Sequence, residues 1–198
     1  EDILTSQNLI QQGTVIDKLL ESLIVDKSIK LDDMLIGDKN AIMLSARILG
    51  YGKQYEFTYD GEEQSVDLST LEPLDIDFSK FPKGKNEFNF KLPTSEREVT
   101  FKLLTGKSEK DIDLEIKAKQ KISKTQSSEL TTRLKHMIIS VDGSSEKSYI
   151  NNFVDNEFLS RDSLAFRQYL ASITPDVDMN VEVIDSDGKK TEVAVPIT

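Results

Sequence analysis

The sequence predicts an α+β fold in which amphipathic helices pack with two or three antiparallel β-hairpins. Three observations carry that expectation. Between Asp38 and Leu71 the apolar period changes from helical to alternating across the interruption Gly50-Tyr51-Gly52. Two further alternating runs, Asn86 to Pro93 and Val99 to Leu103, flank the polar turn Thr94-Ser95-Glu96-Arg97. The order Asp, helix, strand, Gly turn, strand then recurs between Asp162 and Val195, which suggests an internal helix–hairpin repeat of pattern rather than of identity.

Taken in order, residues 3 to 12 carry a weak helical pattern, and Thr14 to Val25 a strong one. Thr14 can cap the second helix, with Asp17 three residues on, while Val15, Ile16, Leu19, Leu20, Leu23 and Ile24 form a broad apolar stripe. Such a stripe suits a core helix or a helix that docks on a partner. From Asp38, the residues Ile42, Leu44, Ala46, Ile48 and Leu49 build a helix that should bury its stripe against the hairpin that follows. In that hairpin Tyr55, Phe57 and Tyr59 share a face, Asp60-Gly61 turns the chain and Ser65 to Leu68 return it.

Residues 72 to 88 contain two prolines, one glycine and the aromatic pair Phe78 and Phe81 without a clear period, and so read as a loop arm. Those rings either fold back on the core or anchor a partner. After the second hairpin, Ser108 and Asp111 resemble a capping box ahead of a charged helix that runs to about Ser123. Residues 124 to 128 break it, and Glu129 to Ile139 forms another helix ended by Asp142-Gly143. A short helix around Tyr149, Ile150, Phe153 and Val154 follows. Asp162 should then cap a helix to Ile173, with Leu164, Phe166, Leu170 and Ile173 inward and Pro175 as its stop. Val181 and Val183, the turn Asp185-Ser186-Asp187-Gly188, and Val193 and Val195 make the last hairpin. The expected division falls near residues 105 to 108. It separates residues 1–104 (N-terminal helices, helix–hairpin unit and second hairpin) from 105–198 (a helical segment ending in a helix–hairpin unit), with one continuous domain as the alternative.

The 198 residues are long enough to bury a sizeable core without metals or cross-links. With 25 basic against 35 acidic residues the formal charge is −10, which opposes non-specific binding to nucleic acid or to an anionic membrane. The lack of cysteine excludes disulfides and thiolate zinc sites and fits a reducing compartment. No apolar run approaches the ~20 residues needed to span a bilayer, and EDILTSQN has neither the basic nor the apolar region of a signal peptide. The expectation is a soluble, unsecreted protein.

Several short motifs touch on chemistry, and each has a plainer reading. Thr105-Gly106-Lys107-Ser108 resembles the tail of a phosphate-binding loop, but Phe101 stands where that motif needs its first Gly. Asp185-Ser186-Asp187-Gly188 resembles the start of a calcium loop, but Pro196 stands where the bidentate Glu belongs. His136 is the only histidine, so multi-His metal sites are excluded. The pairs Asp32-Asp33 and Glu62-Glu63 have no signature that separates an acid–base role from solvated loop charge. Lys117, Lys119, Lys121 and Lys124 read as a solvated helix face or an electrostatic docking strip. No nucleophile, base and oxyanion site come together, so the chain is not expected to be an enzyme, and no cofactor or metal is expected.

The combined pattern resembles the baseplate protein family of bacteriophage T4-like contractile tails. The segments that carry the resemblance are AIMLSARILGYGKQYEFTY, VDLSTLEPL, FKLPTSEREVTFKLLTG, ISVDG and FLSRDSLAFRQYL, in that order. They cover roughly residues 14 to 196. That family includes a baseplate hub subunit and a related hub assembly catalyst. The resemblance implies a structural or assembly role in the infected host cytoplasm and at the tail baseplate, with other baseplate, hub, spike or tape-measure proteins as partners. The alternatives are a transient chaperone absent from the finished particle, an enzyme of unknown substrate, and a host-directed binding protein. Other members often carry CxxC pairs near positions matching Tyr59 to Glu62 and Ile184 to Gly188. This chain lacks those thiols, so metal binding does not carry over, and packing by Phe57, Tyr59, Val183 and Val193 must hold the hairpins instead. Chemistry and position make Phe78, Phe81, Leu19 and Leu23 the candidate partner-binding residues.

Overall fold

The computed structural model of the chain describes residues 15–122 and 129–196. The helix expected over residues 3 to 12, the Thr14 cap and the break at 124 to 128 lie outside them. The described residues form an α+β fold with six α-helices and seven strands in three small antiparallel sheets. They divide into two compact units, each discontinuous in sequence: 15–31, 37–75 and 175–196 in one, 32–36 and 76–174 in the other. The junction expected at 104/105 falls inside the second unit. There Leu35 bridges Thr105, and the Ile36 amide donates to the Leu104 carbonyl at 3.2 Å.

The first unit holds α1 (Val15–Leu23), α2 (Ile36–Tyr51, from Gly37 onward) and the hairpins β1 (Gln54–Tyr59) with β2 (Glu62–Asp67) and β6 (Asn180–Ile184) with β7 (Lys190–Ala194). Gly52, at φ 86°, ends α2 by donating to the Ile48 carbonyl. Asp60 and Gly61 both have positive φ, as a two-residue turn between twisted strands requires. Leu44 and Ile48 meet Tyr55, Phe57, Val66 and Leu68, so the helix stripe does bury itself on its hairpin. Leu49 does not join it. It is 85% exposed, on the opposite flank of the helix from the buried Leu44.

The second hairpin packs in the same cluster through Val181 and Val195. The two hairpin tips also touch: Ser186 Oγ donates to Asp60 at 2.5 Å, and Gln64 Nε2 donates to the Ile184 carbonyl at 2.8 Å. A short irregular ladder, in which the Leu74 amide donates to Asp176 and the Asp178 amide to Glu72, ties the end of the first segment to the start of the last. The expected internal repeat therefore exists in element order but not in packing. The helix that precedes β6 belongs to the second unit, and its hairpin to the first.

The second unit is built on a three-stranded sheet, β3 (Phe88–Lys91), β4 (Glu98–Phe101) and β5 (Ile138–Val141), in that order. Around it lie α3 (Gly106–Ile122), α4 (Glu129–Met137), α5 (Lys147–Asn152), a π-helical turn (Phe153–Glu157) and α6 (Ser160–Ile173). Phe88, Val99, Phe101, Ile138, Val141, Phe153 and Phe166 are all buried in one core. The helix expected to reach Ile139 ends at Met137, because Ile138 to Val141 pairs with β4 and then turns through Asp142-Gly143, both at positive φ. A β-branched run beside an open strand edge takes the extended form. The cap of α3 is Thr105 rather than Ser108, with Thr105 Oγ1 accepting from the Ser108 amide at 3.4 Å. Leu164 is half exposed rather than inward, while Phe166, Leu170 and Ile173 are buried.

Asp162 is not a cap either. It lies inside α6, fully buried, and its two carboxylate oxygens accept the Thr94 amide at 2.7 Å and the Ser95 amide at 3.0 Å from the β3–β4 turn. Burial pushes its pKa up, but the hydrogen bonds from Ser95 and Thr94 outweigh that and hold it below the ordinary aspartate value. Arg97, next in the same turn, donates to Asp142 at 2.8 Å, to Glu157 at 2.5 Å and to the Tyr149 hydroxyl, with its guanidinium 4.8 Å from the Phe153 ring centroid.

Two outcomes follow for stability. A Cβ at Gly37 would sit 1.7 Å from the Pro175 carbonyl oxygen and 2.8 Å from Asp176 Cα, both backbone atoms. Alanine in a helix gains at most about 1 kcal/mol over glycine, whereas an overlap of this kind costs about 1–3 kcal/mol or more. Gly37→Ala should therefore lower the urea midpoint, and a midpoint at or above wild type would contradict the close approach. Because the folded Asp162 pKa is depressed, its contribution is complete above the unfolded value of about 3.9 and is lost as pH falls through the folded value. Asp162→Asn should cost about 1–3 kcal/mol at pH 7 and a smaller amount near pH 2. Equal losses at both pH values would remove the carboxylate from this role.

Candidate functional site

The residues with the most chemical potential are engaged locally. In Thr105-Gly106-Lys107-Ser108 the Gly106 amide donates to the Met34 carbonyl at 3.0 Å, and the Ser108 amide is turned to Thr105 Oγ1. Those amides are the groups that would have to cradle a phosphate. In the last hairpin Asp185 Oδ1 accepts the Asp187 amide at 3.1 Å and the Lys189 amide at 2.8 Å, which makes the segment a side-chain-braced turn. His136 Nε2 lies 2.9 Å from Glu115 on the flank of α4. Asp32 pairs with Lys110 at 2.6 Å, whereas Glu62 and Glu63 are exposed on β2. Lys119, from the basic run on α3, pairs with Glu115 at 2.6 Å and donates to the buried Thr132 hydroxyl at 2.9 Å. Among the described residues no group of three or more His, Asp or Glu has the arrangement of a metal site, and no helix is long and apolar enough to cross a membrane.

The electrostatics favour anions held as anions. Lys53 and Ser69 pull Asp67 down to about 2, and hydrogen bonds from Ser186 lower Asp60. Arg97, followed by the Glu98 amide, lowers Asp142, and Lys119 leads the lowering of Glu115. A general acid working near neutral pH needs a shift the other way.

What the surface does offer is apolar. In the second unit Asp77 accepts the Ser79 amide at 3.1 Å and starts a single 3₁₀ turn, Phe78 to Lys80. Phe78 is 63% exposed, yet its ring lies 5.3 Å from Phe81, which stands edge-on to Phe88 at 5.1 Å. Phe88 in turn stacks on the buried Phe101 at 5.6 Å. Of the two fates open to these rings, Phe81 folds back on the core and Phe78 stays at the surface.

In the first unit Leu20 is the buried residue of the α1 stripe, Leu19 is half-buried and Leu23 is 47% exposed. Leu23 faces a groove that α2 lines with Ala41, Ile42, Ser45, Ala46 and Leu49. The candidate residues thus form two separate pairs on different units. Sequence reading missed the α2 side of the groove, because it assigned Ile42, Ala46 and Leu49 to the core stripe. The small residues Ala41 and Ser45, one helical turn apart, with Ala46 next to them, were the signal available.

Comparison with protein-family models, with curated proteins and with solved structures returned no match.

The aromatic relay predicts opposite responses from its two outer members. Phe78→Ser should leave the unfolding free energy, from urea titration, within about 0.5 kcal/mol of wild type. Phe81→Ala should cost about 2 kcal/mol, less than the ~3–5 of a fully buried ring. Equal effects at both positions would show that the surface ring is part of the core.

Proposed function

We propose that this chain is a non-enzymatic protein of a contractile phage tail, a baseplate hub subunit or hub assembly factor that binds other baseplate and tail proteins during morphogenesis. The tail assignment rests on the order of segments that resembles the baseplate family. The binding role rests on one observation, the surface phenylalanine Phe78. Its ring is held against Phe81 and, through it, against the buried Phe88 and Phe101. A ring so supported loses little side-chain entropy on docking, which is the property of an interface anchor. The work would take place in the host cytoplasm, with hub, spike or tape-measure proteins as partners.

Affinity capture from infected cells tests this directly. Tagged protein should retain baseplate or tail proteins, and Phe78→Ser should reduce their recovery without altering the thermal melt. Recovery of bacterial proteins alone would overturn the tail assignment. Quantitative mass spectrometry of purified particles then separates the two roles: a fixed copy number marks a hub subunit, and absence marks a factor that leaves before completion.

A further inference from the structure

Arg47 is the one arginine of the first unit among the described residues, and no carboxylate there pairs with it. Arg97 and Arg133 in the second unit each hold two carboxylates. Arg47 instead lies over the Tyr51 and Tyr55 rings, its Cζ 5.4 and 4.5 Å from their centroids. Ring faces balance the charge, but they leave the in-plane N–H donors, a fork that matches a carboxylate, without an acceptor. No acidic residue occurs from residue 40 to residue 54, so the segment that carries Arg47 is basic although the hairpins of the unit are acidic.

Beside it is a cavity of about 220 Å³ lined by Asn40, Met43, Leu44, Met179 and Val195. Met43 and Arg47 are one turn apart on the same face of α2. The far wall returns to the same arginine: Val195 leads into Pro196, whose carbonyl accepts the hydroxyl of Tyr55, a ring beneath Arg47. At the opposite end the Asn40 amide donates to both carboxylate oxygens of Asp176, at 3.2 and 3.3 Å, and that carboxylate turns other anions away. We propose that this cavity binds a small carboxylic acid with an apolar body. The carboxylate takes the free edge of Arg47, and the body lies among Met43, Leu44, Met179 and Val195. An apolar cavity of about 150 Å³ holds a benzene ring, so the larger volume here suits a ring or chain of about six to eight carbons. Arg47 stands about 6 Å beyond Met43 along the helix, a distance that a two-carbon link between ring and carboxylate spans. Guanidinium–carboxylate pairing is bidentate, so the stack that fixes Arg47 also fixes the plane of the ligand. A free acid carries this chemistry, and so does the last residue of a protein chain when its side chain is apolar.

The test is a titration of isotope-labelled full-length protein with phenylpropionate, its primary amide, acetate and acetylphenylalanine. The two acids that carry a ring should bind saturably, shifting the Arg47 Nε–H resonance and the amides of residues 40 to 47, 179 and 195. The primary amide and acetate should each bind about tenfold or more weakly, since one lacks the charge and the other the apolar body. Arg47→Gln should cost a similar factor and Arg47→Lys nearly as much, because an ammonium keeps the charge but not the fork. Met43→Phe, which fills the cavity, should remove the advantage of phenylpropionate over acetate. Thermal melts of all three variants should remain cooperative. Tighter binding of phenylpropionate marks the ligand as a free acid and tighter binding of acetylphenylalanine as a chain end, and both support the site.

Absence of saturable binding overturns the proposal, as does equal binding of acid and primary amide or binding that Arg47→Gln retains. So do shifts centred on the lysines of α3. The site shares no residue with the Phe78 surface, so Phe78→Ser should leave the titration unchanged. Failure of the titration therefore leaves the tail reading standing, and failure to capture tail proteins leaves the acid site standing.

Discussion

A carboxylate buried inside α6 sets the geometry of the larger unit. Asp162 accepts two backbone amides from the tip of the β3–β4 hairpin, so the helix and the sheet are joined by charge-assisted bonds as well as by side-chain packing. An ion removed from water is costly unless its hydrogen-bonding capacity is met. The two amides meet it, and the depressed pKa follows from the same bonds. With the turn held at Thr94 and Ser95, Arg97 is placed to reach Asp142, Glu157 and Tyr149 together. The sheet thereby gains links to the β5 turn, the π-helical turn and α5 from one side chain.

The smaller unit solves a different problem. Its fully apolar centre consists of Leu44, Leu68 and Val195, ringed by half-buried side chains, and two-stranded hairpins are marginal on their own. Both hairpins share the α2 face, and their tips meet through Asp60, Ser186, Gln64 and Ile184. Tyr55 adds a bond from its hydroxyl to the Pro196 carbonyl at 2.6 Å.

A division of charge accompanies the division of packing. Among the described residues one unit carries 16 acidic and 16 basic side chains; the other carries 17 acidic and 8 basic, with the excess on its two hairpin segments rather than on its helices.

Element types followed from local rules that the chain cannot evade: positive-φ turns at Asp60-Gly61 and Asp142-Gly143, alternation through Tyr55 to Tyr59, and Pro175 after Ile173. The sequence by itself therefore determined the α+β class, the hairpins and most helix spans. Only tertiary structure decided where those elements went. Ile138 to Val141 has a helix-compatible pattern and became a strand because β4 offered an open edge. Asp162 has the chemistry of a cap and became a clamp because the turn at Thr94 came within reach. Leu49 has the composition of core and stayed in water because Leu44 and Ile48 already covered the hairpin face. Periodicity ranks which side chains can be buried. Which of them are buried depends on what lies opposite, and that partner comes from far along the chain.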